Sequence, residues 1–530
     1  MLSVRAVASR VRFFDEAALQ LFRWVSERYV APLAAVIGRS HPPRVVSEEE
    51  LPAPPAEHRA PPALAAGPLE GYRHGRDLLD VLSSGGGGAV VLRPAPEDEA
   101  EAALEAVTAC LASGRGAIVL VPEASPAPAT ARLVAQRFGE RVALHLGGDR
   151  RARYRRWLDI EAGRHDVVVG THASVFAPLR EVGLVYVARE SHATHREDRA
   201  PYYHVRDVAL ERARLAGAMC VLSALCPSSE AAALGLRQVA PASRRWPPVE
   251  VVRPGPEGRA PRLVRALRET RRGFLYAPLP GYGIAQVCRA CGAPAACAAC
   301  GGALRLEEGA VRCVVCESPG RCASCGAARF GIRRGGAERV EEWAASLAAV
   351  PVRRPARARA PRDPEILVGG PEFVRDLGPL DLDLVGVLDA DLGERRPGLG
   401  GREQALATWM EAVGWASPHG RAIVQASRAA EPAVQALVRG NPDRFHADEA
   451  RRRSEAGFPV GAAVFRVAGT NDLEARLAAL RPITLISTPI GDSTVCLLAV
   501  DRDRVGVLGA LARELAVSGV VTRVEAEPHL

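Results

Sequence analysis

Lysine is missing from this sequence of 530 residues, so all 69 of its Lys and Arg positions are arginine. We attribute the absence to a GC-rich genome, whose codons favour arginine and alanine. Whatever its cause, it excludes every mechanism that needs a lysine side chain. The formal net charge is +8 and favours a polyanionic partner.

Long apolar runs are also missing. No stretch approaches the roughly 18 residues that a membrane-spanning helix needs. The first residues, MLSVRAVASRVRFFDEAAL, include basic side chains but no continuous apolar core followed by a cleavage site, so they do not resemble a signal peptide. We therefore expect a cytoplasmic protein without a membrane partner.

Hydrophobic residues make up 48% of the chain, which is enough for several cores, and the length predicts three or four domains. Short apolar runs such as AVVL at Ala89–Leu92 and AIVLVP at Ala117–Pro122 alternate with helical patterns. A second series of this kind starts with FLYAP at Phe274–Pro278. Buried strands that alternate with helices predict the α/β class, with parallel sheets built from βαβ units.

Two other regions have a different pattern. The end of the chain alternates strand patterns with helical patterns at Leu473–Leu480 and Val505–Val517, in the order β-α-β-β-α-β. This order predicts a C-terminal split βαβ domain of the α+β class. Residues 44–71 are rich in proline and alanine and predict a linker.

Cysteine is concentrated in four C-x-x-C pairs, which contain Cys288, Cys291, Cys297, Cys300, Cys313, Cys316, Cys322 and Cys325. Two thiolates of one such pair can bind the same tetrahedral Zn²⁺, so four pairs predict two structural zinc sites of four cysteines each. The alternatives are a disulfide framework, an iron–sulfur cluster or unrelated cysteines, and disulfides fit a cytosolic protein poorly. The remaining Cys110, Cys220, Cys226 and Cys496 are isolated and predict small core residues.

The spacing also predicts which pairs share a metal. GGALRLEEGAVR separates Cys300 from Cys313 and has the pattern of a hairpin, which brings the two inner pairs together. The outer pairs, Cys288/Cys291 and Cys322/Cys325, then form a second site around it. Sharing between neighbouring pairs instead would require Gly292–Ala296 to reverse the chain tightly, so we favour the nested arrangement.

The cysteine pattern and its flanks resemble the PriA family of bacterial DNA helicases, which act in replication restart. The resemblance rests on FLYAPLPGYGIAQVCRACG and GGAERVEEWA around the cysteines. It extends to FGERVALHL, RYRRWLDIEAGRHDVVVGTHASVFAPLREVGLVYV, YYHVRDVAL and LVGVLDADLG, all in the family's order. It implies two RecA-like lobes that bind ATP between them and move on DNA, with the zinc module inserted in the second lobe.

Domain boundaries follow from the resemblance. We expect a remnant of an N-terminal DNA-end-binding domain at 1–43, the linker at 44–71, a degenerate first lobe at 72–246, a degenerate second lobe at 247–287 and 326–434, the zinc module at 288–325 and the C-terminal domain at 435–530. The family's winged helix is largely replaced by the linker. Either the start codon is placed too late or this copy has lost the end-binding pocket.

The family's catalytic motifs are altered. A P-loop with a lysine should follow the first strand, but RPAPEDE stands there, with acids at Glu97, Asp98 and Glu99. The family's acidic DEEH motif reads Ala188-Arg189-Glu190-Ser191, Trp415 and Pro418 occupy the positions of the motif VI arginines, and SALCPS replaces GSATPS. Phosphate loop, metal ligand and transition-state cation are therefore all changed. We expect a helicase-derived protein that is not an enzyme and uses no ATP.

Two groups of residues are candidates for binding DNA. After the acidic motif, Arg196, Tyr203, His204 and Arg206 offer stacking faces and phosphate contacts. The alternative is that these side chains pack and pair within the first lobe. The run RRPARARAPR offers Arg353, Arg354, Arg357 and Arg359 as further phosphate contacts, with a solvated loop as the alternative reading.

The predicted function is replication restart without unwinding by the chain itself. We expect it to bind stalled or abandoned forks and single-strand-containing DNA, with zinc as the cofactor at two ions per chain. The expected protein partners are primosome and helicase-loading proteins, together with single-strand-binding protein. The rival hypotheses are a zinc-ribbon nucleic-acid adaptor unrelated to restart and an active ATP-dependent DNA helicase.

Overall fold

The computed structural model describes residues 9, 11–50, 60–63, 66–243, 245–255, 259–278, 283–291, 293, 295–299, 302, 304–307, 310–314, 316–334, 336–393, 398–470, 472–491 and 493–528. The chain forms two compact units. The first contains Met1–Pro94, Asp98–Ala242 and Ala450–His529, and the second contains Ala95–Glu97 and Ser243–Glu449. Each unit is described by itself.

The first unit contains a large α/β sheet. Its elements up to residue 242 are α1 (Glu16–Arg28), α2 (Leu33–Ser40), α3 (Val46–Glu49), β1 (Tyr72–Arg73), α4 (Gly75–Ser83), β2 (Gly88–Leu92), α5 (Glu99–Ala112), β3 (Gly116–Leu120), α6 (Ala129–Phe138), β4 (Val142–His145), α7 (Arg150–Glu161), β5 (Val167–Gly170), β6 (Val182–Ala188), α8 (Val205–Ala216), β7 (Met219–Ser223), α9 (Ser229–Ala233) and β8 (Arg237–Pro241). The strand order is β1-β8-β2-β7-β6-β3-β5-β4. All neighbours are parallel except β1 and β8.

Both faces of this sheet are covered, which explains why its central strands are apolar without alternation. In β3, Ala117 and Val119 face a core that includes α4, α5 and α6, while Ile118 and Leu120 face a core that includes α1 and α8. Every residue of β3 and β6 is buried. The sheet and its helices confirm the predicted α/β class for this part of the chain.

The second unit contains a six-stranded parallel sheet and a small antiparallel sheet. Its elements are β9 (Val249–Val252), α10 (Pro261–Glu269), β10 (Arg272–Tyr276), β11 (Gly283–Cys288), β12 (Leu304–Glu307), β13 (Ala310–Cys313), β14 (Phe330–Arg334), α11 (Ala337–Ala345), β15 (Val352–Arg353), β16 (Glu365–Gly369), β17 (Leu382–Val387), α12 (Ala390–Gly393), α13 (Gly401–Val413), β18 (Ala416–Gln425), α14 (Pro432–Arg439) and the start of α15 (Asp443–Glu455). The parallel sheet has the order β15-β16-β10-β17-β18-β9, and the cysteine-rich segment forms the sheet β13-β12-β11-β14.

The C-terminal residues return to the first unit and form a four-stranded antiparallel sheet. Its elements are β19 (Ala463–Gly469), α16 (Leu473–Ala478), β20 (Thr484–Ile490), β21 (Ser493–Val500), α17 (Val505–Val517) and β22 (Val521–Ala526). The strand order β20-β21-β19-β22 is that of a split βαβ domain, as the sequence predicts. None of the described helices is long and apolar enough to cross a membrane.

Candidate functional site

The loop after β2 carries acids that are already bound to other protein groups. Tyr72 donates its hydroxyl to Oδ2 of Asp98 at 2.8 Å. Glu97 lies in the second unit, where its Oε1 is 2.8 Å from a guanidinium nitrogen of Arg245. The resemblance puts a phosphate-binding loop here, and this chain has acidic side chains with protein partners at the same place.

Glu99, the third acid of the segment RPAPEDE and the first residue of α5, forms a buried ion pair with Arg189. Nε and Nη2 of Arg189 donate to the two carboxylate oxygens of Glu99, each at 2.9 Å, and the side chains are only 5% and 9% exposed. Arg189 follows β6 with a φ of +52°, in the left-handed region that side chains rarely adopt. Sequence reasoning missed this pair, although it had a signal: an acid in place of a basic residue and a base in place of an acidic one.

Glu190 is fully buried and connects the end of β6 to the segment SALCPS. Its carboxylate accepts hydrogen bonds from Arg206 Nη1 at 3.0 Å, from the Ser228 hydroxyl at 2.7 Å and from the Ser228 backbone N–H at 2.9 Å. A buried carboxylate is tolerated because it is both hydrogen-bonded and paired with a cation.

The first group of candidate DNA-binding residues lies inside the first unit. Arg196 donates to Glu525 at 3.2 Å, and the ring of Tyr203 is fully buried. Nδ1 of His204 accepts the backbone N–H of Arg206 at 3.2 Å, and burial lowers the pKa of this imidazole well below its usual value. All four residues contact neighbouring protein groups, as the packing alternative requires. Their role in DNA binding stays a prediction.

The second group divides in two. Arg354 is 3.2 Å from a glutamate of α11, and Arg359 donates to both oxygens of Glu365, at 2.7 and 2.8 Å. These hydrogen bonds lower the pKa of Glu365 to about 2. Arg353 and Arg357 are exposed, and no ion pair to them occurs within the described part of the chain. They are available for phosphate contacts, but nothing in the structure tests that role.

Seven of the eight clustered cysteines lie in two groups. The sulfurs of Cys288, Cys291, Cys322 and Cys325 all lie within 4.8 Å of one another, and those of Cys297, Cys313 and Cys316 do so separately. Cys300 lies outside the described residues. Both groups could hold a metal ion, and their membership matches the nested arrangement.

The four C-x-x-C turns share one backbone geometry. In each turn the N–H of the first cysteine donates to the carbonyl oxygen five residues later. The four hydrogen bonds are Cys288 to Ala293 (2.8 Å), Cys297 to Gly302 (2.9 Å), Cys313 to Ser318 (3.0 Å) and Cys322 to Ala327 (2.9 Å).

Sulfur separations test whether these residues fit zinc. Cys288 and Cys325 are 3.6 Å apart, and Cys291 and Cys322 are 3.7 Å apart. A tetrahedron with Zn–S bonds of about 2.3 Å has S···S edges of about 3.8 Å, whereas a disulfide bond measures about 2.05 Å. The separations fit four thiolates around one metal ion and exclude disulfides between these atoms.

At the positions of the family's second-lobe arginines this chain has one buried and one exposed residue. Trp415 is buried and its ring lies edge-to-face on Phe274, with centroids 5.1 Å apart. Pro418 is exposed within β18. Trp415 is therefore part of the second unit's core.

Comparison with known proteins identifies relatives along most of the chain. No family model matches it. A replication restart protein PriA from Treponema pallidum is 29% identical over 496 residues, or 86% of this chain and 74% of the relative. A probable replication restart protein PriA from Mycobacterium leprae is 29% identical over 468 residues, or 79% and 72%. The Bacillus subtilis replication restart protein PriA is 26% identical over 403 residues, or 67% and 50%.

Solved structures are more distant. A Mycobacterium smegmatis helicase Lhr bound to single-stranded DNA and AMP-PNP aligns with a TM-score of 0.39 and 14% identity, covering 71% of this chain and 48% of its own. The DUF1998 helicase MrfA bound to DNA aligns with a TM-score of 0.40 and 11% identity, covering 74% of this chain and 55% of its own.

These comparisons correct one expectation. The PriA relatives match 86% and 79% of the chain and point to a helicase family. The expectation that the chain is not an enzyme is therefore wrong. That expectation rested on the altered catalytic motifs. Changes at motif positions do not show whether the other side chains of the chain can support catalysis.

Proposed function

Because this chain belongs to the family of replication restart proteins PriA, we propose that it binds stalled or abandoned replication forks and helps to assemble the primosome that reloads the replicative helicase. The observation that carries the proposal is the match over 86% of this chain and 74% of the relative. Its partners in this role are forked DNA, helicase-loading proteins and single-strand-binding protein, and it acts in the cytoplasm.

The cysteine clusters are part of this proposal. Cys288, Cys291, Cys322 and Cys325 hold one zinc ion, and Cys297, Cys300, Cys313 and Cys316 hold a second. Support comes from the sulfur separations of 3.6 and 3.7 Å and from the repeated turn geometry. Both ions are structural, since four thiolates leave no open position. Zinc bound in this way stabilises the folded segment by about 10–16 kcal/mol in peptide models.

A helicase-loading assay tests the proposal. Purified replicative helicase and its loader are incubated with forked DNA, with and without this chain, and helicase bound to the fork is counted. Loading should depend on the chain and should fail when linear duplex replaces the fork. Loading that proceeds equally well without the chain would remove the replication-restart role.

A second candidate function is ATP-dependent DNA unwinding, which the comparison with a helicase family favours. Phosphate release in the presence of forked DNA, against a no-protein control, tests it. In this chain any cationic side chain that contacts a nucleotide phosphate must be arginine or histidine, since lysine is absent. The sequence-based expectation that ATP is not a cofactor stays a prediction until this measurement is made.

A further inference from the structure

Helix α7 of the first unit is unusually basic for an element packed on a sheet. Its sequence RRARYRRWLDIE contains five arginines in 12 residues. Tyr154, Trp157 and Ile160 form its buried side, and Trp157 packs against the ring of Phe13 with centroids 5.6 Å apart. These contacts fix the helix on the unit, so the orientation of its arginines is determined by the fold.

Two of the five arginines have carboxylate partners. Arg151 pairs with the buried Glu48, and Arg155 is 3.2 Å from Asp159 on the same helix. Asp159 is also 2.9 Å from Arg164, just beyond the helix. The charges of this subset are compensated within the protein.

The other three arginines, Arg150, Arg153 and Arg156, are spaced three residues apart and lie along one side of the helix. None of them has a carboxylate oxygen within 4.0 Å among the residues that the structure describes. Asp149 directly precedes Arg150, and it caps the helix by accepting the N–H of Ala152 at 2.8 Å. Asp159, three residues after Arg156, pairs with Arg155 and Arg164. The stripe therefore carries uncompensated positive charge. It extends over about 9 Å at the usual helical rise.

His145 lies near this stripe and is held by a neighbouring side chain. Nδ1 of His145, at the end of β4, is 2.9 Å from the Ser174 hydroxyl. Burial, and after it the charges of Arg156 and Arg153, lower the pKa of His145 to about 4. The imidazole is therefore neutral at pH 7, and two guanidinium groups lie near enough to affect it.

The surface before the stripe is open. Gly147 and Gly148 have φ values of +137° and +104°, and no atom lies within 4 Å of the place where a Gly147 side chain would begin. Nη1 of Arg156 donates to the Gly147 carbonyl oxygen at 3.3 Å, which holds this guanidinium at the edge of the loop. The two glycines therefore add no side chain of their own between Arg156 and the solvent.

We propose that Arg150, Arg153 and Arg156 form a phosphate-binding stripe for one DNA strand. The proposal rests on the fork-binding function proposed above and adds the surface of the first unit that carries it. Contacts of this kind position a strand without reading its sequence. The four residues that sequence analysis nominated in this unit, Arg196, Tyr203, His204 and Arg206, contact protein groups and three of them are buried in it. The stripe arginines have no carboxylate partner among the described residues, and the hydrogen bonds of Arg150 and Arg156 are made to the backbone carbonyl oxygens of Arg44 and Gly147.

Matched double variants of the full chain test the proposal by fluorescence anisotropy on forked DNA. Arg153→Gln/Arg156→Gln removes two unpaired charges. The control variant, Arg155→Gln/Arg164→Gln, removes two charges that pair with Asp159. Both variants therefore lose the same formal charge. We expect the first to weaken binding about tenfold or more and to reduce the salt slope by about 1.4–1.8, the value for two phosphates. The control should stay within about twofold of the unsubstituted chain.

A third variant, Arg153→Lys/Arg156→Lys, keeps the charge and should retain most of the slope. Equal weakening in the two glutamine variants, or no weakening in the first, would overturn the stripe while leaving fork binding intact. If the unsubstituted chain does not bind forks at all, the proposed function fails first. Circular dichroism and urea unfolding of each variant show whether a loss of binding comes from a loss of fold.

Discussion

Arg189 and Glu99 form a two-bond ion pair inside the first unit, at the two positions where the family resemblance places an acidic motif and a basic phosphate loop. Relative to the family pattern, the acidic residue is now in the loop segment and the basic residue is now after β6. The two segments therefore still attract each other. Because both side chains are nearly inaccessible to water, neither is stable there without the other.

Replacing Glu99 with glutamine should destabilise the first unit strongly. Arg189 would stay buried without a counter-charge, and breaking a buried pair in this way costs about 3–5 kcal/mol. Urea unfolding gives the value. Glu97→Gln is the matched control, because Glu97 and Arg245 are 40% and 41% exposed and such a pair contributes about 1 kcal/mol or less.

The double variant Glu99→Leu/Arg189→Leu tests whether the loss of stability in Glu99→Gln comes from the unpaired charge of Arg189. Replacing both charges by apolar groups should cost less than Glu99→Gln alone, since no unpaired charge remains. A double variant that is less stable than the single one would contradict the account of this pair.

Metal analysis of natively purified protein should find two zinc ions per chain. Cys291→Ser removes one of four sulfurs from the first cluster and should lower the content to about one ion, because three thiolates and a hydroxyl bind zinc more weakly. The isolated Cys226, which is buried in the first unit, provides the control. Cys226→Ser should retain both ions. One ion or none in the unsubstituted chain would contradict the two-site arrangement.

The sequence predicted the broad fold because periodicity is a local signal. The fully apolar strands β3 and β6 indicated a parallel sheet covered on both faces. The β-α-β-β-α-β order likewise indicated the C-terminal sheet, whose strands β19 to β22 pair as that order requires. Neither signal showed that the C-terminal sheet belongs to the same compact unit as the first lobe, because packing between distant segments leaves no periodic trace.

The candidate sites were predictable only where spacing is decisive. Four C-x-x-C turns at short range leave few ways to group the sulfurs, and the described ones fall into two clusters. Arginine patterns carry less information, because burial decides their role. Arg206 and Arg156 look alike in the sequence, but Arg206 is bound to the buried Glu190, while Arg156 faces an open loop.

Buried histidines should make the first unit sensitive to acid. Burial lowers the pKa of His195 to about 3, and its Nε2 is 2.8 Å from the Ala188 carbonyl oxygen. An unfolded histidine titrates near 6.5. Between these values only the unfolded chain takes up the proton, so the free energy of unfolding falls as pH drops from about 6.5 towards 3. His195→Gln keeps a donor for Ala188 and should reduce the loss between pH 7 and pH 5 by about 2 kcal/mol.

Urea unfolding at pH 7 and pH 5 measures this effect. The control is His74→Gln, at an exposed side chain of the same unit. If the control changes the pH dependence as much as His195→Gln does, burial of His195 is not its source.

DNA binding should weaken steeply with salt, because arginine–phosphate contacts release counterions. Three contacts from Arg150, Arg153 and Arg156 alone predict a slope of about −2.1 to −2.7 for the logarithm of the association constant against that of the salt concentration. Exposed Arg353 and Arg357 would make the slope steeper. Titrations between about 50 and 300 mM salt measure it. An affinity that does not depend on salt would contradict phosphate contacts as the main source of binding.

Recognition of forked DNA is tested most directly by the ratio of two affinities, one for a fork and one for linear duplex of the same length and base composition. Both titrations are made at the same salt concentration, so that the attraction between arginines and phosphates contributes equally to the two affinities. Each titration is made with and without ATP. We predict that the fork binds at least about tenfold more tightly, which corresponds to about 1.4 kcal/mol, and that Arg153→Gln/Arg156→Gln weakens its binding. Equal affinities would identify a nucleic-acid adaptor without fork recognition and would contradict the account.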